Sequence, residues 1–333
     1  MEEKRNGLVD VTRVVAAMGI ILCHVDMTGY GGVGVLFSQF LTVRFSLMFF
    51  LAIIGFYTER SEQAGGKTVR KRVCAYLRVY GSWTMIYLML SAVMLVLIQK
   101  VPLEQFLISK VKGFFLSGSY YHFWFYPAVI YALLFIAGVK KLLGDRALRF
   151  LMPLAVALYA AGLLGTGYLP MGRKIPLLCS LYATDAFETV MHLCCLGFPS
   201  VVFGMAAAHS SKKCSGLLLM AATAGYVAEA VILCLHLGWR EDPQMLLSTP
   251  VLTVLFLIWV RDRNLPKGNV NHALLRVVSA GMYNVHPLVL AATAVILPEL
   301  AGLWTFLLCV MCSALFGCVL YCLRKIRFIE LFI

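Results

Sequence analysis

The chain has 333 residues, 61% of them hydrophobic and 14% charged, with a mean hydropathy of +0.85. A soluble domain is about half apolar and a quarter charged, so this composition belongs to a chain solvated by lipid and excludes a water-soluble globular protein. The formal net charge of +13 is carried by short segments between apolar runs, which argues for contact with anionic lipid and against nucleic acid as a partner.

A membrane span needs roughly 17–25 predominantly apolar residues. That window predicts spans near 8–28, 36–58, 75–98, 119–139, 148–168, 186–208, 215–237, 246–260, 277–297 and 303–323. Between the third and fourth, segment 102–117 mixes apolar residues with Glu104, Lys110 and Lys112 and reads as an interfacial helix. Lysine and arginine favour the cytoplasmic side. With the N-terminus inside, the inner segments hold 20 of the 29 basic residues and the outer segments 6, while Arg13, Arg44 and Arg78 fall within spans. The expected protein is an all-α integral membrane protein, a bundle of about ten transmembrane helices with both termini cytoplasmic. Residues 1–333 form one transmembrane domain in this reading, with no soluble domain and no cleavable signal. The 11 cysteines lie mostly in apolar segments and read as small buried hydrophobes. Cys309 and Cys312 have the spacing of a metal hook but no partner pair, so no metal is expected.

Charged side chains inside a span are costly and usually face the bundle interior. On the first span Arg13 and His24 are eleven residues apart, about three helical turns, so they share a face some 16 Å apart along the axis. Asp10 lies one turn before Arg13 and can orient it. Further on, Arg44, His122, His192, Glu229 and His286 all fall within predicted spans. Several histidines towards one leaflet suggest a polar cavity in the outer half of the bundle.

Four stretches resemble the acyltransferase 3 family of integral membrane acyltransferases. Val9-Asp10-Val11-Thr12-Arg13 through His24 is similar to its opening signature, an arginine and a histidine with ten residues between them. Arg44 with Phe49-Phe50 and Gly55-Phe56 resembles its second-helix aromatic pattern, although Ile54 stands where serine is usual. The run from Tyr121 to Ala128, with His122 and Trp124, resembles its fourth-helix segment, and Ser279, Tyr283, His286 and Pro287 resemble a late helix. Before Pro199 the family often has an arginine; His192 is the nearest equivalent here. Within the family the chain is similar to the membrane domain of vancomycin-resistance-type serine racemases.

The resemblance implies transfer of an acyl group from acyl-CoA, with acetyl-CoA the expected donor, to a hydroxyl of a cell-envelope glycan or related acceptor. In that reading Arg13 holds the donor's phosphates, Asp10 orients Arg13, and His24 is the general base. Arg44, His122 or His286 stabilise the oxyanion or orient the acceptor. Trp124 and Tyr121 offer ring faces to a sugar, and Tyr283 completes the binding set. The expected location is the cell membrane, multi-pass, with the lipid bilayer as partner and room for a homodimer. The alternative is an amino-acid (L-serine-like) transporter or uptake module using the same histidines and Glu229.

Overall fold

The computed structural model describes residues 6–65, 69–182, 184, 186–237, 244–261, 263 and 271–333, and among them helices, turns and loops are present but no strand. Of the basic residues used for orientation, Lys4, Arg5, Lys67, Arg240 and Lys267 lie outside the described residues. In chain order the principal helices are α1 (Gly7–Cys23), α2 (Thr28–Gln63), α3 (Val69–Ala92), α4 (Leu103–Phe115), α5 (Phe125–Leu143) and α6 (Ala147–Gly165). They continue with α7 (Phe187–His209), α8 (Gly216–Leu237), α9 (Ser248–Arg261), α10 (His272–Ile296) and α11 (Gly302–Leu323). Seven helical runs are long and apolar enough to cross a membrane among the described residues, one of them the 41-residue run Phe125–Gly165. That run is divided at Gly144, whose φ of 53° ends α5 in the left-handed region glycine tolerates.

Helix α1 begins on Asn6, whose side chain accepts from Leu8 N at 2.9 Å, a helix-start signal legible in the sequence. The Asn6 amide also donates to Val260 O (2.5 Å) and to Arg263 O, pinning the start of α1 to the end of α9. α1 stops at Cys23, short of the predicted residue 28, because the His24 N–H turns back to Ile21 O and Leu22 O. The predicted segment 119–139 likewise starts early. Gly118 (φ 89°) is followed by turns, and α5 proper opens at Phe125. α4 is amphipathic, with Phe106 its buried residue.

The most extensive contacts are α10 with α11 and α2 with α7, followed by α6 with α7. Lipid tails are as apolar as the helices, so close backbone packing replaces the hydrophobic effect as the cohesive force. α2 and α7 meet that requirement reciprocally: Gly55 lies against Val201 O and Gly204 against Ala52 O. A methyl group at either glycine would run into the opposing carbonyl. At the end of this helix pair, Lys140 of α5 bridges Glu59 (2.5 Å) and Glu62 (2.6 Å) of α2, and His209 of α7 reaches Glu59 at 3.1 Å. These packed helices hold the polar side chains described next.

Candidate functional site

Seven of the residues singled out in the sequence, His24, Arg44, Tyr121, His122, Trp124, His192 and Tyr283, line one cavity of about 240 Å³. Part of its wall is formed by helix ends and irregular helix. His24 sits at the C-cap of α1. α2 widens into a π-helix over Leu36–Thr42, and Gln39 from that stretch reaches the cavity. α7 does the same over Met191–Gly197 and supplies His192 and Leu196. π-helical turns are uncommon and concentrate at functional sites. Arg44 is buried on α2; its Nε donates to Gln39 O at 2.7 Å and its Nη1 to Gln244 O at 3.3 Å. The Gln39 amide in turn donates to Cys23 O (2.8 Å), tying the π-turn to the end of α1 beside His24.

The histidines differ in their surroundings. His24 is open to the cavity, and its ring meets Tyr121 edge-on (5.1 Å between centroids) and stacks on His286 (5.2 Å, 23°). His122 is buried and both its ring nitrogens lack a hydrogen-bond partner among the described residues. His192 stacks on Trp124 at 4.1 Å and 7°, which covers one face of the indole and leaves at most the other for a ligand. His286 does not line the cavity. It is fully buried, behind His24 and edge-on to His122 at 5.2 Å.

Pro287 explains how His286 is held. Proline has no N–H, so the carbonyl four residues earlier, that of Tyr283, loses its helical partner. His286 Nδ1 approaches that carbonyl at 2.8 Å and Met282 O at 3.2 Å. Facing two acceptors, Nδ1 is the nitrogen that carries the proton. Nε2 is then the one with the lone pair, and it has no partner among the described residues.

A second cavity, of about 280 Å³, lies towards the other end of α1. Arg13 and Arg276 are its cationic members, and Phe50, Ile53, Val79 and Phe125 form apolar walls. Asp10, buried at 3% exposure, accepts from Arg13 Nη1 (3.2 Å) and bonds His272 Nδ1 (2.7 Å), so one carboxylate fixes Arg13 and joins α1 to the first residue of α10. The Arg13 guanidinium also lies over the Tyr57 ring at 5.6 Å. Asp10 and Arg13 are thus at the opposite end of α1 from His24.

Tyr283 lines both cavities. Its hydroxyl donates to His122 O, and the ring packs beside Phe125 (5.4 Å) and His122 (5.5 Å). The neighbouring Asn284 is fixed by Tyr126, whose hydroxyl donates to its Oδ1 at 2.7 Å, and by Tyr87, which donates to its carbonyl at 2.7 Å.

Sequence reading did not find Gln39, Gln244 or His272. None carries a motif, and each is brought in by contacts across the bundle. Arg276 was visible only as an inner basic residue. The signal existed, because Arg276, Ser279 or Ala280, and Tyr283 follow at helical spacing on one face. Glu229, offered to a solute or proton in the transport alternative, is engaged structurally. Its carboxylate accepts from Leu247 N (2.6 Å), Ser248 N (2.7 Å), the Ser248 hydroxyl and the Tyr168 hydroxyl (2.8 Å), capping the start of α9.

Fold and site together define a polytopic helical membrane protein with an imidazole-lined cavity in its interior. The sequence pattern of the acyltransferase 3 family, an acyltransferase domain, matches residues 6–323, and the chain belongs to that family. It is also 24% identical over 346 residues to an amino-acid racemase of Enterococcus faecalis. That alignment covers 98% of this chain and 47% of the relative, so the chain spans about half the relative's length. No solved structure matches it.

Proposed function

We propose that the chain is a membrane O-acyltransferase that moves an acyl group, acetyl being the best fit, from acyl-CoA to a hydroxyl of a cell-envelope glycan or related acceptor. One observation carries this reading: a cavity with two arginines and a cavity with His24 converge on a single residue, Tyr283. Acyl-CoA is anionic at its nucleotide end and neutral along its pantetheine arm. Arg13 and Arg276 suit the phosphates through charge-assisted hydrogen bonds, and the apolar walls beyond them suit the arm. The basic bias of the inner segments supports a cytoplasmic arginine cavity and a histidine cavity open to the outer half of the cell membrane.

In the transfer step, His24 takes the proton of the acceptor hydroxyl as its oxygen attacks the thioester carbonyl carbon. The tetrahedral intermediate collapses, the C–S bond breaks, and the departing CoA thiolate takes the proton from the His24 imidazolium. Ester and free CoA result, with atoms and charge balanced. The Arg44 guanidinium, held by two backbone carbonyls in the wall of the same cavity, is positioned to offset negative charge at the reacting carbonyl. His286, with its Nδ1 proton committed to Tyr283 O, suits an accepting role beside His24 better than oxyanion stabilisation. Asp10 acts at a distance, by holding Arg13.

Membranes or purified protein given labelled acetyl-CoA should place label on envelope glycan. His24→Ala should lower that transfer by about 10²–10⁴-fold, the range for loss of a general base. Full transfer by a normally accumulating His24→Ala protein would overturn the mechanism.

A further inference from the structure

The two cavities have one lining residue in common, and that residue is held in place. Among the described residues Tyr283 alone borders both the histidine cavity and the arginine cavity. Its hydroxyl is tied to His122 O across from α10. Phe125 and Phe50 flank the ring, at 5.4 and 6.5 Å between centroids. Backbone support is unusual here too, because Pro287 leaves the Tyr283 carbonyl to the His286 side chain. A ring fixed at its tip and along its sides swings away less readily than an exposed tyrosine, whose rotamers exchange freely.

We infer that the Tyr283 ring is the septum between the cavities and sets the length of acyl group the protein can transfer. This rests on the acyl-transfer reading. A thioester entering among Arg13 and Arg276 must bring its carbonyl carbon to the septum for an acceptor hydroxyl beside His24 to reach it. Whatever lies beyond that carbon has to pass the Tyr283 ring and share the cavity of about 240 Å³ with the acceptor. A two-carbon acyl group places one methyl there; an eight-carbon group places a chain that the ring blocks. Tyr283 is therefore a specificity-determining residue that leaves proton transfer to His24.

Cys23 supplies a test that needs no activity, since it lines the histidine cavity and no disulfide engages it. A charged, membrane-impermeant methanethiosulfonate is applied separately to each face of oriented vesicles, and modification of Cys23 is mapped by mass spectrometry. In the native protein Cys23 reacts from one face only. In Tyr283→Ala it reacts from both, and Tyr283→Leu serves the same purpose with less loss of packing. Persistence of single-face reaction in both variants overturns the septum, as does a native Cys23 that reacts from neither face or from both.

A companion assay compares octanoyl-CoA with acetyl-CoA as donors. The ratio of octanoyl to acetyl transfer should rise at least about tenfold in the variants, the scale on which a pocket discriminates substrates differing by methylenes. An unchanged ratio with acetyl transfer still measurable overturns the length-setting role. If the native protein transfers no acyl group at all, the acyl-transfer reading fails and the length-setting role with it, while the Cys23 result still decides the septum.

Discussion

Asp10→Asn tests how much of the arginine cavity depends on one buried carboxylate. Asp10 is 3% exposed and serves two partners, Arg13 Nη1 at 3.2 Å and His272 Nδ1 at 2.7 Å. A hydrogen bond to a charged group contributes about 1.5–3 kcal/mol. The Arg13 and His272 side chains are 20% and 31% exposed, so solvent screening moves each contact towards the ~1 kcal/mol of a surface pair. Asparagine keeps one carbonyl oxygen and retains one contact as a neutral bond. The expected net loss of stability is about 1–2 kcal/mol, read as a lower melting temperature of the protein in detergent. The kinetic effect should be selective. With Arg13 held less firmly once the carboxylate charge is gone, the donor loses about 1 kcal/mol of binding and its KM rises about fivefold. Asp10 and His24 are 14 residues apart on and at the end of one helix, roughly 21 Å, so kcat should stay within about twofold. A fall in kcat of tenfold or more at unchanged KM would refute the assignment of Asp10 as a positioning residue, as would no change in either constant.

Packing offers further checks away from the chemistry. Gly204→Ala forces a methyl against Ala52 O and should cost about 1–3 kcal/mol, whereas Gly138→Ala, with open space at its Cβ, should melt like the native protein. Equal melting of the two would show that α2 and α7 are not packed through Gly204. Glu229→Ala removes the acceptor at the start of α9 and should lower stability by about 1–2 kcal/mol, with Glu229→Gln losing less. Identical thermal melts for the native protein and Glu229→Ala would rule out the capping role.

The sequence by itself settled the class of molecule, because hydropathy and charge are sums over residues and need no knowledge of contacts. Composition, apolar run length and the bias of lysine and arginine point to a polytopic α-helical membrane protein. Motif spacing picked out most of the polar residues that line the site, since groups costly to bury in lipid are few and conspicuous. Arg13 and Asp10 on one helix face were legible for the same reason, as neighbours three apart on a helix.

What required the tertiary structure was every relation between distant segments. Spacing could not show that Asp10 holds His272, 262 residues away. It could not show that His286 meets His24 and His122 from behind rather than from the cavity wall. It offered Glu229 to a solute or proton in the transport alternative, and the fold uses that carboxylate to cap α9. The π-helical turns of α2 and α7 lie in segments that read as ordinary apolar helix, yet they bring Gln39 and His192 to the cavity. Tyr283 shows the division most plainly. A motif marked it as one binding residue among several, and only the meeting of α1, α2, α5 and α10 made it a lining residue of both cavities. Periodicity reports which face of a helix a residue occupies; which other helix that face meets depends on how the whole bundle packs.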